Sequence, residues 1–314
     1  MKHERRSYVP LLIRVSVYIL AIIVLFLMRG RLDLKRFFRQ AGPAAETGLI
    51  ISGADLAPSL VDRLVEHYRA DYPQLTIQVR GGGSAAALED LINLRAGAVF
   101  LSRPPSPEEQ KLFVGAYGDT AIWYPVALGA ILVMAGPQGA DSTVTLDALR
   151  ALADGRPGGG LERLYVPDPN SGLWDVLRAK LGLGRSTATA VPGVVFLKDD
   201  ATVARAVAAD PRSLGVASSF ALQGQPAARG VRTLSLRTGP SGPSVAPDVD
   251  QTLSGAYPLW SYLYAGCRKT GGVQGTMFVT HLTSQRGQRQ IARTEFLPVQ
   301  MPQREIHLNR RSPG

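Results

Sequence analysis

The sequence contains a single cysteine, Cys267, among 314 residues. One cysteine excludes an intrachain disulfide and also a metal site built on cysteine ligands. Histidine is nearly as scarce, and His3, His67, His281 and His307 lack the spacing of metal ligands. His67 falls within an amphipathic helical pattern, where a surface or boundary position is the expected role. The sequence therefore predicts neither a metal nor a cofactor.

The motifs of common enzyme classes are also missing. The run Gly81-Gly82-Gly83-Ser84 lacks the Gly-Lys-Ser/Thr ending of a P-loop, and no Ser-His-Asp set or paired carboxylates occupy the loops. Asp168 and Asp175 flank Ser171, but a turn residue and an acid in the first turn of a helix explain them. We therefore expect a binding protein and not an enzyme.

The positive charge of the chain, +10 overall, is concentrated at its two ends. Residues 1–40 hold nine Lys and Arg against two acids, and residues 304–314 hold three Arg against one acid. The remaining body is nearly neutral, so it carries no footprint for a phosphate backbone. We expect no nucleic-acid partner.

One long apolar run, residues 9–28, includes a single charge, Arg14. A helix of that length spans about 30 Å, the thickness of the hydrocarbon core of a membrane. A cleaved signal peptide is the alternative, but Met28 is followed by Arg29 and not by small residues, and no lipoprotein cysteine follows. We expect an uncleaved transmembrane anchor.

The anchor is followed by a basic juxtamembrane linker, residues 29–45. Its amphipathic part suits either contact with anionic lipid or a solvated stalk. Four Lys and Arg precede or enter the apolar run and five follow it, so the positive-inside rule leaves the orientation undecided.

From Gly48 onward, apolar strand patterns alternate with helical ones, which predicts an α/β fold with a mostly parallel sheet. One helical face is predicted at Leu56, Leu60, Val61, Leu64, Val65 and Tyr68, and a second at Leu88, Leu91 and Ile92 with Gly97 as its C-cap. A surface loop rich in Pro, Gly and Ser is expected at 238–248. The strand candidates are 48–52, 75–79, 98–102, 121–134, 164–166, 193–197, 214–218 and 231–236.

Three places share one pattern, in which a strand ends, a small polar turn follows and a helix begins: 50–58, 79–91 and 167–177. Helix N-termini offer unpaired N–H groups and a partial positive charge, and ligands of open α/β sheets gather at the carboxyl ends of strands. Together the three predict an anion cradle. Taken singly, Asp55, Ser84 and Asn170 or Ser171 are better explained as helix N-caps, and only the order and spacing of all three favour the cradle.

Seven stretches occur in the order typical of one family. They are "SGADLAPSLVDRLVEHYRADYPQLTIQVRGGGSAAALEDL", "VFLSRPPSPEE", "WYPVALGAILVMAGP", "VPDPNSGLWDVL", "VARAVAADPRSLGVASSFAL", "YPLW" and "LTSQRGQRQIARTEFLPV". Through them the chain, from about Gly48 to Val299, resembles the substrate-binding proteins of phosphate ABC transporters, which have the type 2 periplasmic-binding-protein fold.

The resemblance implies two lobes that close on a ligand like a hinge, preceded here by the transmembrane helix. Lobe one would comprise 46–124 and 228–306, lobe two 125–227, and residues 307–314 would form a tail. The segments "WYPVALGAILVM" and "LGVASSFAL…VRTLSL" would cross between the lobes. The family also implies an ABC permease and its ATPase as partners. With the predicted anchor at 9–28, we expect a single-pass membrane protein with its domain on the extracytoplasmic side.

Residue by residue, the resemblance matches Ser84 to the family's phosphate-binding serine, Ser171 and Gly172 to donors of the second lobe, and Ser102-Arg103 to a Ser-Arg pair. The candidate ligand-binding residues are therefore Asp55, Ser84, Ser102, Arg103, Asn170, Ser171 and Gly172.

Three positions depart from the family pattern: Asp55 replaces a hydroxyl, Pro167 replaces an arginine and Leu173 replaces a threonine. Hydrogen bonds to charged groups contribute roughly 1.5–3 kcal/mol each, so the three losses remove about 4–9 kcal/mol of phosphate binding. Two hypotheses follow. The chain binds phosphate or another small anion between its lobes, or it is a degenerate sensor or scaffold domain that does not bind phosphate.

Overall fold

The computed structural model describes residues 48–118, 120–138, 142–184, 191–222, 225–239, 241–270, 272–294 and 296–300. The predicted anchor at 9–28, the linker at 29–45 and the tail at 307–314 lie outside these ranges. Within them, none of the helices combines the length and the apolar character that crossing a bilayer requires. The anchor therefore stays a prediction.

The described residues form strands and helices in alternation. The strands are β1 Gly48–Ser52, β2 Thr76–Val79, β3 Ala98–Leu101, β4 Ala121–Ala135, β5 Thr143–Thr145, β6 Arg163–Pro167, β7 Val194–Leu197, β8 Ser213–Ser218, β9 Arg232–Thr233, β10 Ser235–Arg237, β11 Ser244–Val245, β12 Trp260–Arg268 and β13 Leu297–Pro298. The α-helices are α1 Pro58–Asp71, α2 Gly83–Ile92, α3 Pro107–Tyr117, α4 Leu146–Ala153, α5 Leu173–Lys180, α6 Asp200–Ala209, α7 Ser219–Leu222, α8 Val249–Leu253, α9 Val273–Thr283 and α10 Gln285–Ala292. All eight predicted strands are confirmed, the last as the pair β9 and β10.

The main sheet has the order β2-β1-β3-β12-β4-β8-β6-β7, with β13 and β9 also paired to β4. Its two ends are parallel, through the pairs of β1 with β2 and β3 and of β6 with β7 and β8. Its centre is antiparallel, because β12 pairs with β3 and β4, and β4 pairs with β8. The prediction of a mostly parallel sheet is therefore wrong at the centre, where β4 and β12 run antiparallel side by side. A second, three-stranded sheet contains β11, β10 and β5.

Strand β4 borders both parts of the sheet. We call β2, β1 and β3 with helices α1 to α3 the first half, and β8, β6 and β7 with α5 and α6 the second half. One apolar cluster, which includes Tyr68, Phe100 and Phe278, lies on the first half, and another, which includes Trp174 and Val216, on the second. The segment 123–134, for which the resemblance predicts a crossing role, lies within β4. The lobe boundaries themselves stay a prediction.

Helix α1 begins with Pro58 at its first turn and buries Leu60, Val61, Leu64, Val65 and Tyr68, as its periodicity predicts. Helix α2 buries Leu88 and Leu91.

One local prediction fails and another needs a small correction. Gly97 is not the C-cap of α2, because that helix ends at Ile92 with Asn93 as its cap. The Gly97 N–H instead donates to the Ile50 carbonyl at 2.9 Å as the chain enters β3. The loop expected at 238–248 contains the short strand β11, because its Val245 and Ser244 pair with Leu236 and Arg237 of β10.

Candidate functional site

The N-terminus of α2 holds the first predicted site residues. Gly82 precedes the helix in a left-handed conformation, and the Gly82 and Gly83 N–H groups point to the carboxylate of Asp55. They donate to it at 3.0 and 3.1 Å. A carboxylate is well placed there, because a helix N-terminus carries a partial positive charge. Asp55 therefore takes up donors that would otherwise meet an anion.

Ser84, in the first turn of α2, is buried and lies beside Ser102 at the end of β3. The Ser102 N–H donates to the Ser84 hydroxyl at 2.9 Å, and the two hydroxyl oxygens are 3.1 Å apart. Both hydroxyls donate to the carbonyl oxygen of Ser171, from 2.9 Å for Ser84 and 2.6 Å for Ser102. Ser84 and Ser102 belong to the first half and Ser171 to the second. Side chains of the first half thus bind directly to the backbone of the second. We call this contact the junction.

Two glycines allow this close approach. Gly83 has φ +68, and a Cβ on it would lie 2.8 Å from the Asn170 carbonyl oxygen. Gly172 has φ +81, and a Cβ on it would lie 2.5 Å from the Ser102 hydroxyl and 3.3 Å from that of Ser84. Both positions therefore favour glycine through conformation and through space.

Arg103, the only cationic side chain among the predicted site residues, is held by two acids. Its guanidinium donates to both oxygens of Glu109, at 2.7 and 2.8 Å, and lies 3.1 Å from the Asp175 carboxylate. These hydrogen bonds to Glu109, followed by the charges of Glu109 and Asp175, raise the pKa of the Arg103 guanidinium. Since Asp175 lies in α5, the ion pair also joins the two halves. The charge of Arg103 is directed to protein carboxylates.

The loop after β6 owes its shape to Asp168, whose carboxylate accepts the Asn170 N–H at 2.7 Å in a 3₁₀ turn, Pro169–Ser171. The Ser171 hydroxyl accepts the Leu173 N–H at 3.3 Å. Pro167 ends β6 and Leu173 begins α5, both buried. The two apolar departures from the family pattern are therefore packing residues.

The sequence also allowed Asp55, Ser84 and Asn170 or Ser171 to be helix N-caps. The structure does not show them as the N-caps of α1, α2 or α5. The residues that precede these helices are Ala57, Gly82 and Gly172, which offer no side-chain cap. Asp55 instead binds the start of α2, a helix distant in sequence, and Ser84 lies inside it. Three of the predicted site residues meet at the junction: Ser84, Ser102 and Ser171. Gly172 and the backbone of Asn170 lie beside them. Asp55 and Arg103 lie at the edges of this group. Their roles in ligand binding stay a prediction.

A cavity of about 20 Å³ adjoins the junction, room for about one water molecule. Ser102 and Ser171 line it together with Asp200, Ser218, Phe220 and Tyr262. Asp200 begins α6 and accepts the Ser218 N–H at 2.6 Å. Burial raises the pKa of the Asp200 carboxyl to about 6, more than the hydrogen bond from Ser218 lowers it.

Sequence reasoning missed Asp200. The only available signal was the Asp199-Asp200 pair at the start of a helix, where Asp199 serves as the N-cap and accepts the Thr202 N–H at 2.7 Å. Among the described residues, no group of three or more His, Cys, Asp and Glu could hold a metal ion.

Residues 39–286 match the family model of the PBP superfamily domain. No curated protein matches the chain.

Solved structures share its fold. A protein from Clostridium perfringens, described as a phosphate ABC transporter substrate-binding protein with bound phosphate, superposes with a TM-score of 0.64 at 15% identity, covering 81% of this chain and 100% of that one. An ABC-type phosphate transport receptor from Vibrio cholerae has a TM-score of 0.59 at 16% identity, covering 79% and 99%. The effector binding domain of a BenM variant has a TM-score of 0.52 at 16% identity, covering 80% and 99%.

Proposed function

Because the chain belongs to the PBP superfamily, we propose that it is a solute-binding protein that holds phosphate or another small anion at the junction between its two halves. The two phosphate-transport proteins with the same fold support this proposal. So does the family resemblance of the loops that form the junction.

The observation that carries the proposal is the convergence of two hydroxyls on one acceptor. The Ser84 and Ser102 hydroxyls donate to the Ser171 carbonyl oxygen from the same side, at 2.9 and 2.6 Å. When the two halves separate, the Ser171 carbonyl moves away from both hydroxyls. The Ser84 and Ser102 hydroxyls then remain as two neighbouring donors beside the start of α2. An oxyanion oxygen would take the place of the carbonyl oxygen. Hydroxyls and helix N-termini are common anion-binding groups.

The same contacts predict weak phosphate binding. Most of the N–H donors of Arg103 are already bound to Glu109 and Asp175, and Pro167 supplies no donor where the family has an arginine. Asp55 adds a like charge at the start of α2. With hydrogen bonds to charged groups contributing roughly 1.5–3 kcal/mol each, we expect phosphate dissociation constants nearer the millimolar than the nanomolar range.

Calorimetry of the full chain in detergent micelles, titrated with phosphate and sulfate, tests the proposal. We expect saturable heat that the Ser84→Ala and Ser102→Ala substitutions each remove. The exposed Ser254→Ala is the matched control and should bind like the wild type. Absence of heat with every oxyanion up to tens of millimolar would overturn the proposal.

A second candidate is a sensor or scaffold domain that does not bind phosphate. It is favoured by the fact that Asp55, Ser84, Ser102 and Arg103 all have protein partners in the closed arrangement. The effector binding domain of the BenM variant has the same fold. Spin labels on the two halves distinguish the candidates, because an anion-binding protein shifts its interlabel distance on adding phosphate and a scaffold does not.

We further propose a membrane-anchored form with its domain on the extracytoplasmic side and an ABC permease as partner. The apolar run at 9–28 supports the anchor. Protease added outside intact spheroplasts should cut the domain. Cleavage only after lysis would place the domain in the cytoplasm and remove the role in solute capture.

A further inference from the structure

Asp200 brings a carboxyl group to the cavity beside the junction without a basic partner among the described residues. Its oxygen accepts the Ser218 N–H at 2.6 Å, and the other polar groups that line this cavity in the described part of the chain are hydroxyls and backbone. Asp200 is half-buried, and removing a carboxylate from water without a counter-charge is costly, which is the physical reason that its pKa is raised to about 6. The cavity therefore suits a positively charged or hydrogen-donating group.

Most of the charged side chains described around the junction are acidic. Asp55 and Asp200 lie on its two sides, and Glu109 and Asp175 already surround the guanidinium of Arg103. Among these five described side chains, four carboxylates against one guanidinium give a negative sum. A ligand that is only an anion would experience this field as repulsion, whereas a ligand that also carries a positive group would offset it.

The cavity and the junction share Ser102 and Ser171. Ser102 donates through its hydroxyl at the junction and is also one of the residues that line the cavity, so a group in the cavity lies near the acceptor position. At about 20 Å³ the cavity holds one water-sized group, which is also the size of an ammonium group. Phe220 and Tyr262 add aromatic rings to its wall, and such rings attract cations.

We infer that the solute is a small zwitterion whose oxyanion group meets the Ser84 and Ser102 hydroxyls while its ammonium group enters the cavity and pairs with Asp200. This inference rests on the proposed anion-binding function and names its substrate class. It explains why Asp200 lies beside the Ser84 and Ser102 hydroxyls, because the ammonium group of the ligand would supply the counter-charge that Asp200 lacks among the described residues.

The ion pair implies a definite pH dependence. An ammonium group beside Asp200 favours its ionised form, so binding requires loss of the proton that the free protein holds below about pH 6. The charged groups that act on Asp200 are Asp199 beside it and Asp55 across the junction, and both are acidic. Of the basic residues on elements packed against α6, Arg163 pairs with Asp210 at 2.8 Å and Arg229 is exposed. Affinity for an amine-bearing ligand should therefore fall as the pH drops below about 6.

Calorimetry of the full chain with 2-aminoethanesulfonate, ethanesulfonate and phosphate tests the inference. The two sulfonates differ by one amine, and their charges stay constant between pH 5 and 7.5, so only the protein titrates. We expect the amine to raise the affinity at least tenfold at pH 7.5, and we expect the affinity of the aminosulfonate to fall about tenfold at pH 5, one pH unit below the pKa of Asp200. The affinity for ethanesulfonate should not fall at pH 5.

The matched variants are Asp200→Asn and Asp199→Asn. Asparagine at 200 keeps an oxygen for the Ser218 N–H and removes only the charge, so it should abolish the advantage of the amine without weakening ethanesulfonate. Asp199→Asn keeps the N-cap and should bind both probes like the wild type. If phosphate or ethanesulfonate binds and the amine adds nothing, the inference fails while the proposed function stands. If none of the three binds, both fail.

Discussion

The hydroxyl oxygen of Ser84 lies 2.9 Å from the carbonyl oxygen of Ser171, a residue 87 positions away on the other half of the sheet. Ser102 donates to the same carbonyl at 2.6 Å. A protein acceptor thus occupies the place that the proposed function gives to an oxygen of the ligand. The direct contact with the Ser171 carbonyl and the binding of an anion therefore compete for the same two donors.

Substituting Gly172 by alanine should weaken the junction. The new Cβ would lie 2.5 Å from the Ser102 hydroxyl at a residue with φ +81. Backbone strain costs about 1–3 kcal/mol at such a position, and the steric clash adds to it. Gly160→Ala is the matched control, because Gly160 has φ +79 but a Cβ added there would meet no atom within 4 Å. Urea unfolding should show a larger loss of stability for Gly172→Ala than for Gly160→Ala. Equal losses would mean that the close contact with Ser102 contributes nothing.

Substituting Arg103 by methionine should destabilise the folded protein. The change leaves Glu109 and Asp175, both partly buried, without their shared cation. Charge-assisted hydrogen bonds contribute about 1.5–3 kcal/mol, so we expect a loss of that order in the free energy of unfolding. In the control Arg156→Met, an exposed pair with Asp154 at 3.3 Å is lost, and about 0.5 kcal/mol or less is expected. Equal effects of the two substitutions would contradict a structural role for the Arg103 pair.

Asp200 should make the free energy of unfolding fall as the pH rises, which is opposite to the usual effect of a carboxyl group. The folded-state pKa of about 6 lies above the ordinary aspartate value of 3.8, so the folded protein binds this proton more tightly than the unfolded chain does. The contribution therefore favours folding at low pH and is lost as the pH rises from about 4 through about 6. Carboxyls with lowered pKa, such as Asp90 and Asp210, act in the opposite direction.

Urea unfolding of the wild type and Asp200→Asn between pH 4 and 7.5 isolates this contribution, because the other carboxyls are common to both proteins. The wild type should lose about 1–3 kcal/mol relative to the variant across this range. A constant difference between the two proteins would show that Asp200 does not titrate abnormally.

The arrangement of the loops could be predicted from sequence, because strands that end at one edge of a sheet bring the turns that follow them together. The nearness of the loops that carry Ser84 and Ser171 follows from this rule, whereas their direct hydrogen bond does not. The identity of the acceptor does not follow either, since it is a backbone carbonyl whose direction depends on the conformation of Gly172 and leaves no trace in the side chains.

Two other features could not be predicted from the sequence, namely the strand β12 and the position of Asp200 beside the cavity. Strand β12 buries Ser261, Leu263, Ala265 and Cys267 on one face and carries tyrosines on the other, so its alternation shows little contrast in hydropathy. Asp200 looks like one of two acids at a helix start, and only the packing of α6 against β8 brings it to the cavity.

A crystal structure of the full chain grown with phosphate tests the central claim most directly. The account predicts the oxyanion between the Ser84 and Ser102 hydroxyls at the start of α2, with the Ser171 carbonyl displaced from both hydroxyls. A phosphate bound elsewhere, with both hydroxyls still donating to Ser171, would contradict it.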